Sequence, residues 1–229
     1  MIVGGRSSAT GGILAALVFS MVLLGGCGDG FDGPNYVITA VVWDDLSVMP
    51  SQAATVWIRE SVGGDAVFGA TVRVNGVECD PAIDPWDESY DRDFFSVPPG
   101  HPIFIEVDLG EFHAMGMVTM PGPPDVTAPT GSHDASAPIP VEWNSSFVPD
   151  TFYLSVHPFE TVSPDGWQMT VDGTLASCEI PAGTLNPATS DIRALMWAAN
   201  ETSNLGPLAG SGSEIRAVYN GVSPAFSTE

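Results

Sequence analysis

Short runs of apolar residues with a period of two recur along the chain from residue 36 onward. Every second residue from Ile103 to Leu109 is aliphatic, the spacing of a strand with one face buried. Residues 72–79 contain two such runs joined by Asn75-Gly76, a pair that tolerates the positive φ angles of a tight hairpin turn. The pattern therefore predicts a strand at 103–109 and a β-hairpin at 72–79.

Further strands are predicted where β-branched and aromatic residues cluster between turn-forming residues. The chain has 25 Gly and 20 Pro, which punctuate these runs and leave little room for helices. Residues 192–199 contain good helix formers, but their Asn- and Ser-rich flanks and their place in a strand series favour a strand. The other predicted strands are residues 36–43, 55–58, 112–120, 139–143, 152–156, 167–171, 175–180 and 215–222.

The sequence Pro121-Gly122-Pro123-Pro124 divides the strands into two series. Proline fixes φ and cannot donate to a strand ladder, so it ends the first sheet. The chain is also longer than the usual single domain of about 100–150 residues. We therefore predict an all-β protein with two tandem Ig-like β-sandwich domains, at residues 35–121 and 126–229.

The second series resembles fibronectin type III and related Ig-like domains over about residues 126–222. Two features depart from that family: Ser190-Asp191 stands where its corner tyrosine usually precedes strand F, and Pro140 interrupts strand B. The resemblance implies a spacer or binding module rather than a particular activity. The landmarks that carry it are Ile-Pro-Val-Glu-Trp at 139–143, Phe-Tyr-Leu-Ser-Val at 152–156, Ile-Pro-Ala-Gly-Thr-Leu at 180–185 and Ala-Ala-Asn at 198–200.

The first 26 residues have the pattern of a secretory signal, with the basic Arg6 before an apolar run at 13–24. That run is shorter than the roughly 20 residues needed to span a bilayer. Leu24-Gly25-Gly26-Cys27 resembles the lipobox of bacterial lipoproteins. This resemblance implies that residues 1–26 are removed, that Cys27 carries the lipid, including palmitate, and that residues 27–34 form the tether. An ordinary signal peptide with a chance cysteine is the alternative.

The charge of the chain narrows the choice of partners. It has 28 acidic and six basic residues, a formal net charge of −22, and every acid follows Cys27. Such a charge repels nucleic acid and anionic lipid headgroups, so we expect a membrane partner only through the lipid. An envelope protein or a glycan remains a possible partner of the body. The acidity itself is explained either by a solvated surface or, as the minority alternative, by cation binding.

One acidic segment is a candidate site. Six carboxylates between Asp80 and Asp93 alternate with the aromatic residues Trp86, Tyr90 and Phe94, and they repel one another unless they are solvated or share a cation. A solvated connector requires no cofactor, whereas Ca²⁺ would use several carboxylate oxygens. Trp86 and Tyr90 could instead stack on a sugar or a peptide. The candidate calcium ligands are Asp84, Asp87, Glu88, Asp91 and Asp93.

Other chemistry has little support in the sequence. There is no lysine for a P-loop and no Cys-x-x-Cys or His-Glu-x-x-His for zinc. Glu111 and His113 would share a strand face and could pair or hold a metal, but two ligands do not make a site. Cys79 and Cys178 could form a disulfide outside the cytoplasm. Each is expected in a separate core, however, which leaves bridged and free thiols both open.

We therefore interpret the chain as a non-catalytic lipoprotein, lipid-anchored in the bacterial cell envelope and acting as a binding or spacer module. In a Gram-negative cell it would lie at the outer membrane or the cell surface. The alternatives are a calcium-binding or glycan-binding surface protein, a purely structural envelope component, and a glycan hydrolase that uses two acids of the 80–95 segment.

Overall fold

The computed structural model describes residues 36–45, 51–84, 87–158 and 167–229, and for Asp45, Ser51, residues 83–84, Asp87 and residues 94–95 it describes the backbone only. The predicted signal sequence, Cys27 and the tether lie outside these ranges, as does Trp86. Every regular element within them is a β-strand, which confirms the all-β prediction. No helix in the described ranges is long and apolar enough to cross a membrane.

The first eight strands form two sheets that pack face to face. One sheet has the order β1-β2-β6-β5 and the other β4-β3-β7-β8. In the lettering of Ig domains these orders are A-B-E-D and C′-C-F-G, so the first sandwich is Ig-like. Its strands are β1 Val37–Asp45, β2 Ser51–Arg59, β3 Thr71–Val74, β4 Val77–Glu78, β5 Asp80–Asp84, β6 Asp87–Phe95, β7 Pro102–Leu109 and β8 Phe112–Thr119.

The remaining strands form a second Ig-like sandwich. The order β14-β11-β9 corresponds to E-B-A, and β13-β12-β15-β16 corresponds to C′-C-F-G. The short strands β10 and β17 pair with each other, and β17 also pairs with β15. The strands are β9 Pro124–Ala128, β10 Gly131–His133, β11 Ile139–Ser145, β12 Thr151–Pro158, β13 Trp167–Asp172, β14 Ser177–Ile180, β15 Ile192–Thr202, β16 Glu214–Val222 and β17 Phe226–Thr228.

Alternation along these strands builds one core for each sandwich. In the first, Ile38 and Val56 of one sheet face Ile103 and Ile105 of the other. In the second, Trp143 packs edge-on against Phe152 with ring centroids 5.3 Å apart. The predicted strands thus occur where inward-facing residues repeat with a period of two.

The hairpin predicted at 72–79 is confirmed, and its turn has the expected geometry. Asn75 and Gly76 have φ angles of 50° and 74°, the positive values required by a type I′ turn. The adjoining strands pair from Val74↔Val77 to Arg73↔Glu78.

The acidic segment 80–95 differs from the connector that the sequence favoured. It is a hairpin of β5 and β6, paired from Asp80↔Asp91 to Asp84↔Asp87, and β6 continues the sheet beside β2. Aspartate and proline are rare in strands, and here Asp80, Pro81 and Asp84 lie on the edge strand β5, whereas the other acids lie on β6. Charges and a proline on an edge strand hinder pairing with another chain. This composition is unusual for a strand, which is why the sequence did not predict β5.

The long hairpin of β15 and β16 joins the two sandwiches. Residues 192–199 of β15 pair with β12 in the second sandwich, whereas residues 214–219 of β16 pair in parallel with β1 of the first. Leu205, Ile215 and Ala217 of this hairpin are buried in the core of the first sandwich. The sheet therefore runs without a break from β5 to β13 through β16.

The same hairpin closes the edge of the first sandwich at β8. The Met115 backbone N–H donates to the Leu205 carbonyl at 3.2 Å, and the Asn200 side-chain amide donates to the Thr119 carbonyl at 2.8 Å. A Cβ on Gly116 would lie 2.5 Å from Cδ1 of Ile215 and 3.1 Å from the Asn204 carbonyl oxygen, so a larger residue here would displace the Ile215 side chain. An edge that would otherwise be free to pair is thereby covered.

The chain passes from β8 to β9 through the proline-rich segment at 121–124. Pro121, Gly122 and Pro124 are buried, and β9 begins at Pro124 itself. Farther on, β10 pairs with β17. The segment between β8 and β9 is therefore packed against the protein, and β10, which follows β9, is held by its pairing with β17.

Leu205→Ala tests the hairpin as a shared core element. Deleting a buried leucine side chain loses its transfer free energy and leaves a cavity, so the free energy of unfolding should fall by about 2–5 kcal/mol. Urea unfolding followed by tryptophan fluorescence measures it. The matched control is Leu208→Ala in the same loop, where the side chain is exposed and the change should stay within about 0.5 kcal/mol. Equal effects of the two substitutions would contradict the packing role of Leu205.

Candidate functional site

The acidic hairpin distributes its carboxylates along a sheet edge. Glu88 and Asp93 are exposed, and Asp91 is half-buried with Ser89 Oγ donating to its Oδ2 at 3.2 Å. Alternation points Glu88 and Asp91 to opposite faces of the hairpin. In the described part of the chain, no group of three His, Cys, Asp or Glu side chains is placed to hold a metal ion. The side chains of Asp84 and Asp87 lie outside that part, so the calcium site stays a prediction.

Tyr90 occupies a position unlike the stacking surface expected from the sequence. Its side chain is buried in the first core. The hydroxyl donates to the Val67 carbonyl at 3.2 Å and accepts from the Ala70 N–H at 3.1 Å, which fixes the loop between β2 and β3. A ring held in this way is not available at the surface for a sugar or a peptide, and its predicted companion Trp86 lies outside the described residues.

An apolar patch lies on the outer face of the β4-β3-β7-β8 sheet. Phe104, Met115 and Met117 are 39%, 51% and 50% exposed, because alternation turns their neighbours in β7 and β8 into the core. Phe104 lies directly opposite Met117, and Met115 follows on the same face of β8. The three side chains are therefore neighbours, and we call them the Phe-Met patch.

Acidic side chains border the Phe-Met patch. Glu106 lies opposite Met115. In the next row, Asp108 accepts from Arg73 at 2.8 Å and contacts His113 Nδ1 at 2.6 Å. The hydrogen bond from His113, followed by that from Arg73, lowers the pKa of the Asp108 carboxyl. His113 thus pairs with Asp108 rather than with Glu111, the partner suggested by the sequence.

A shallow depression of about 480 Å³ adjoins the patch. Phe104 and Pro102 supply apolar walls, and the polar groups at its border include Asn75, His101 and Glu106. The Phe104 backbone N–H donates to Asn75 Oδ1 at 2.8 Å, so the β3-β4 turn is held against β7. Apolar walls beside a carboxylate suit a long cationic side chain, whose stem is apolar and whose end is charged.

Sequence reasoning did not identify the Phe-Met patch. Its signal was present, since Phe104, Met115 and Met117 occupy the strand phase that should be polar. Each of the three is a single apolar residue on a predicted solvent face, and only the pairing of β7 with β8 brings them together.

Cys79 and Cys178 are free thiols in different parts of the structure. Cys79 belongs to the first core and Cys178 packs against the second. Burial raises the pKa of each thiol to about 11. Neither cysteine has the partner or the low pKa of a reactive nucleophile.

Comparisons with known proteins add only general similarity. No protein-family model matches the chain, and no curated protein matches it. Among solved structures, it is similar to the FN1–FN3 domains of chicken CNTN1, at 12% identity and a TM-score of 0.26 over 76% of this chain and 62% of that one. The Yersinia pseudotuberculosis adhesin InvE matches at 14% identity and a TM-score of 0.24, over 81% and 58%.

A third similar structure, IG1+IG2 of DIP-gamma, matches at 8% identity and a TM-score of 0.25, over 86% of this chain and 98% of that one. The chain spans less than two thirds of the first two structures. The Ig-like assignment rests on the strand orders and the two cores described above.

The thiol pKa values predict slow modification of the native protein. A thiol of pKa about 11 is roughly 0.1% thiolate at pH 8, so its reaction with Ellman's reagent should be about a hundredfold slower than that of an unperturbed thiol. The rate should rise about tenfold per pH unit until the pH approaches the pKa. In guanidinium without reductant, both thiols should react promptly. Their failure to react until reductant is added would instead reveal a disulfide.

The acidic hairpin should respond to calcium only through ionic strength. If its carboxylates are solvated, millimolar CaCl₂ should shift the melting temperature no more than NaCl of equal ionic strength. A bound ion would instead add about 2.7 kcal/mol at a hundredfold excess over its Kd, and Asp87→Asn with Asp91→Asn would abolish that gain. Glu111→Gln with Glu179→Gln, at two exposed positions outside the hairpin, is the control. A calcium-specific rise lost only in the Asp variant would overturn the solvated interpretation.

Proposed function

We propose that this protein is a lipid-anchored, non-catalytic module of the bacterial cell envelope that presents a binding or spacer surface. The unbroken sheet through β1 and β16 is the observation that carries the proposal. Two sandwiches joined by one sheet, with Ile215 and Ala217 of β16 buried in the core of the first, form a stiffer support than two domains on a flexible linker. Such a support suits a protein that holds a surface at a set distance from a membrane.

The proposed anchor is Cys27. It lies ten residues before the first residue of β1, and a Gly-rich tether of this length reaches only about 15 Å on average. The first sandwich would therefore lie close to the membrane. With 28 acidic residues in the chain, the body would be repelled by anionic headgroups. The lipid would attach the protein to the membrane, while repulsion between the acidic body and the headgroups would keep the surface of the body accessible.

A non-catalytic role is supported by the state of the polar groups. The two cysteine thiols, as candidate nucleophiles, have raised pKa values. A glycan hydrolase would need two opposed carboxyls about 5–9.5 Å apart around a sugar. The acids of β5 and β6 are instead spread along two neighbouring strands of one sheet, and the depression beside Phe104 is lined by a single carboxylate, Glu106.

Cys27→Ala tests the anchor. Acyl chains contribute about 0.8 kcal/mol per buried methylene, and stable attachment takes more than one chain. The wild-type protein should therefore partition into the detergent phase of a Triton X-114 extraction, and the variant should lose this behaviour. Cys79→Ser, which leaves the proposed lipid site intact, should partition like the wild type. Quantitative retention of Cys27→Ala in the detergent phase would refute lipidation at this residue.

A further inference from the structure

We propose that the Phe-Met patch and the adjoining depression form a docking surface for a basic, apolar peptide segment of another envelope protein. This inference rests on the proposed function, because it specifies the partner of the binding module. The patch is contiguous and lies on rigid strands rather than on loops. Two of its three side chains are methionines, whose flexible thioethers adapt to varied apolar partners.

The chemistry of the patch requires an apolar contact from its partner. Phe104, Met115 and Met117 keep between a third and half of their surface in water, and covering that surface is favourable. Because they lie on two adjacent strands of one sheet, an extended peptide that crosses the face can touch all three with alternate side chains.

Charge complementarity selects a basic partner. Glu78, Glu106 and Glu111 lie on or beside this face. Arg73 and His113 lie there too, and both contact Asp108, which leaves the three glutamates in excess. The field above the patch is therefore negative and would steer a cationic segment toward it. Acidic segments and anionic membranes would be repelled.

The same charge argues against a second copy of this chain as the occupant. Two copies of a chain with a formal charge of −22 would have to bring acidic rims together, and like charges across an interface are destabilising. A basic partner removes that repulsion.

The depression gives the partner segment an anchor point. Phe104 and Pro102 can cover the methylene stem of an arginine or a lysine, and Glu106 can pair with its charged end. Arginine is among the residues that dominate binding energy when they fill a pocket at an interface. We therefore expect a basic residue in the depression, with apolar residues of the same segment on the patch.

A designed peptide probes this surface directly. The probe is a fluorescent nine-residue peptide of alternating Arg and Leu, titrated with the full-length protein in neutral detergent micelles and followed by anisotropy against protein-free micelles. Peptides with Glu in place of Arg, and with Ser in place of Leu, are the chemical controls. The wild-type protein should bind the Arg-Leu peptide saturably and about tenfold more tightly than either control peptide.

Matched variants locate the binding. Phe104→Ser with Met115→Ser and Met117→Ser should weaken binding about tenfold, and Glu106→Gln should weaken it and flatten its salt dependence. The control is Met169→Ser with Leu175→Ser, at positions of the second sandwich that are 39% and 51% exposed, which should leave affinity unchanged. All substituted residues lie at the surface, and equal melting temperatures establish that the variants fold.

Four results would overturn the proposal: no saturable binding, equal binding of the Arg-Ser peptide, equal loss in the patch and control variants, or no loss in the patch variant. A wild-type dimer that the patch variant converts to a monomer in sedimentation analysis would assign the face to a second copy instead. The anchor is tested separately by detergent partition of Cys27→Ala. Failure of peptide binding would therefore not contradict the membrane anchor, and failure of the detergent-partition test would not contradict the docking surface.

Discussion

The parallel pairing of β16 with β1 is the constraint on which the rest of the structure depends. Because β16 is also a strand of the second sandwich, this pairing fixes the two sandwiches relative to each other. It brings Leu205 and Ile215 into the first core. Two further hydrogen bonds hold it in place, from the Ile38 N–H to Ser213 Oγ at 3.0 Å and from the Gly210 N–H to the Tyr36 carbonyl at 2.8 Å.

A cluster of ionic side chains surrounds the buried Arg216 at the junction between the hairpin and the second sandwich. Arg216 contacts Glu201 at 2.8 Å and Glu214 at 2.9 Å, and the Tyr153 hydroxyl donates to Glu201 at 2.8 Å. The guanidinium also lies 5.5 Å from the centre of the Tyr153 ring. A buried charge is tolerated only when its partners are in place. The cluster therefore favours one arrangement of β16 against β12 and β15.

In the first sandwich, the outer face of a sheet is available for binding a partner, whereas the edges of the sheets at β5 and β8 are not. The β8 edge is hydrogen-bonded to the hairpin, and the β5 edge carries aspartates and Pro81. Both devices oppose strand addition. The outer face of β7 and β8 remains, with apolar side chains and an acidic border, on a sandwich joined to the second by a continuous sheet. The proposed spacer role and the proposed docking role thus draw on the same rigidity.

The sequence by itself determined the class of fold and most of the strands. Alternation and the Asn75-Gly76 turn are local signals, and local signals suffice where one face of a strand is buried. They failed for β5, β6, β9, β10 and β17, which are short, proline-containing or acidic. Whether such a segment forms a strand depends on the strands that pair with it, and residue propensities contain no information about those strands.

Tertiary structure decided which residues are available at the surface. Tyr90 and Phe104 are both aromatic residues of β-strands, yet one belongs to the first core and the other faces solvent. The sequence placed the candidate site at the acidic segment of β5 and β6, whereas the exposed apolar patch lies on the other sheet of the first sandwich. The strand pairing that joins the two sandwiches could not be predicted from local sequence pattern either, because it pairs β1 with a strand more than 170 residues later. Burial and strand pairing are properties of the whole chain, since each depends on what else packs against the same residue.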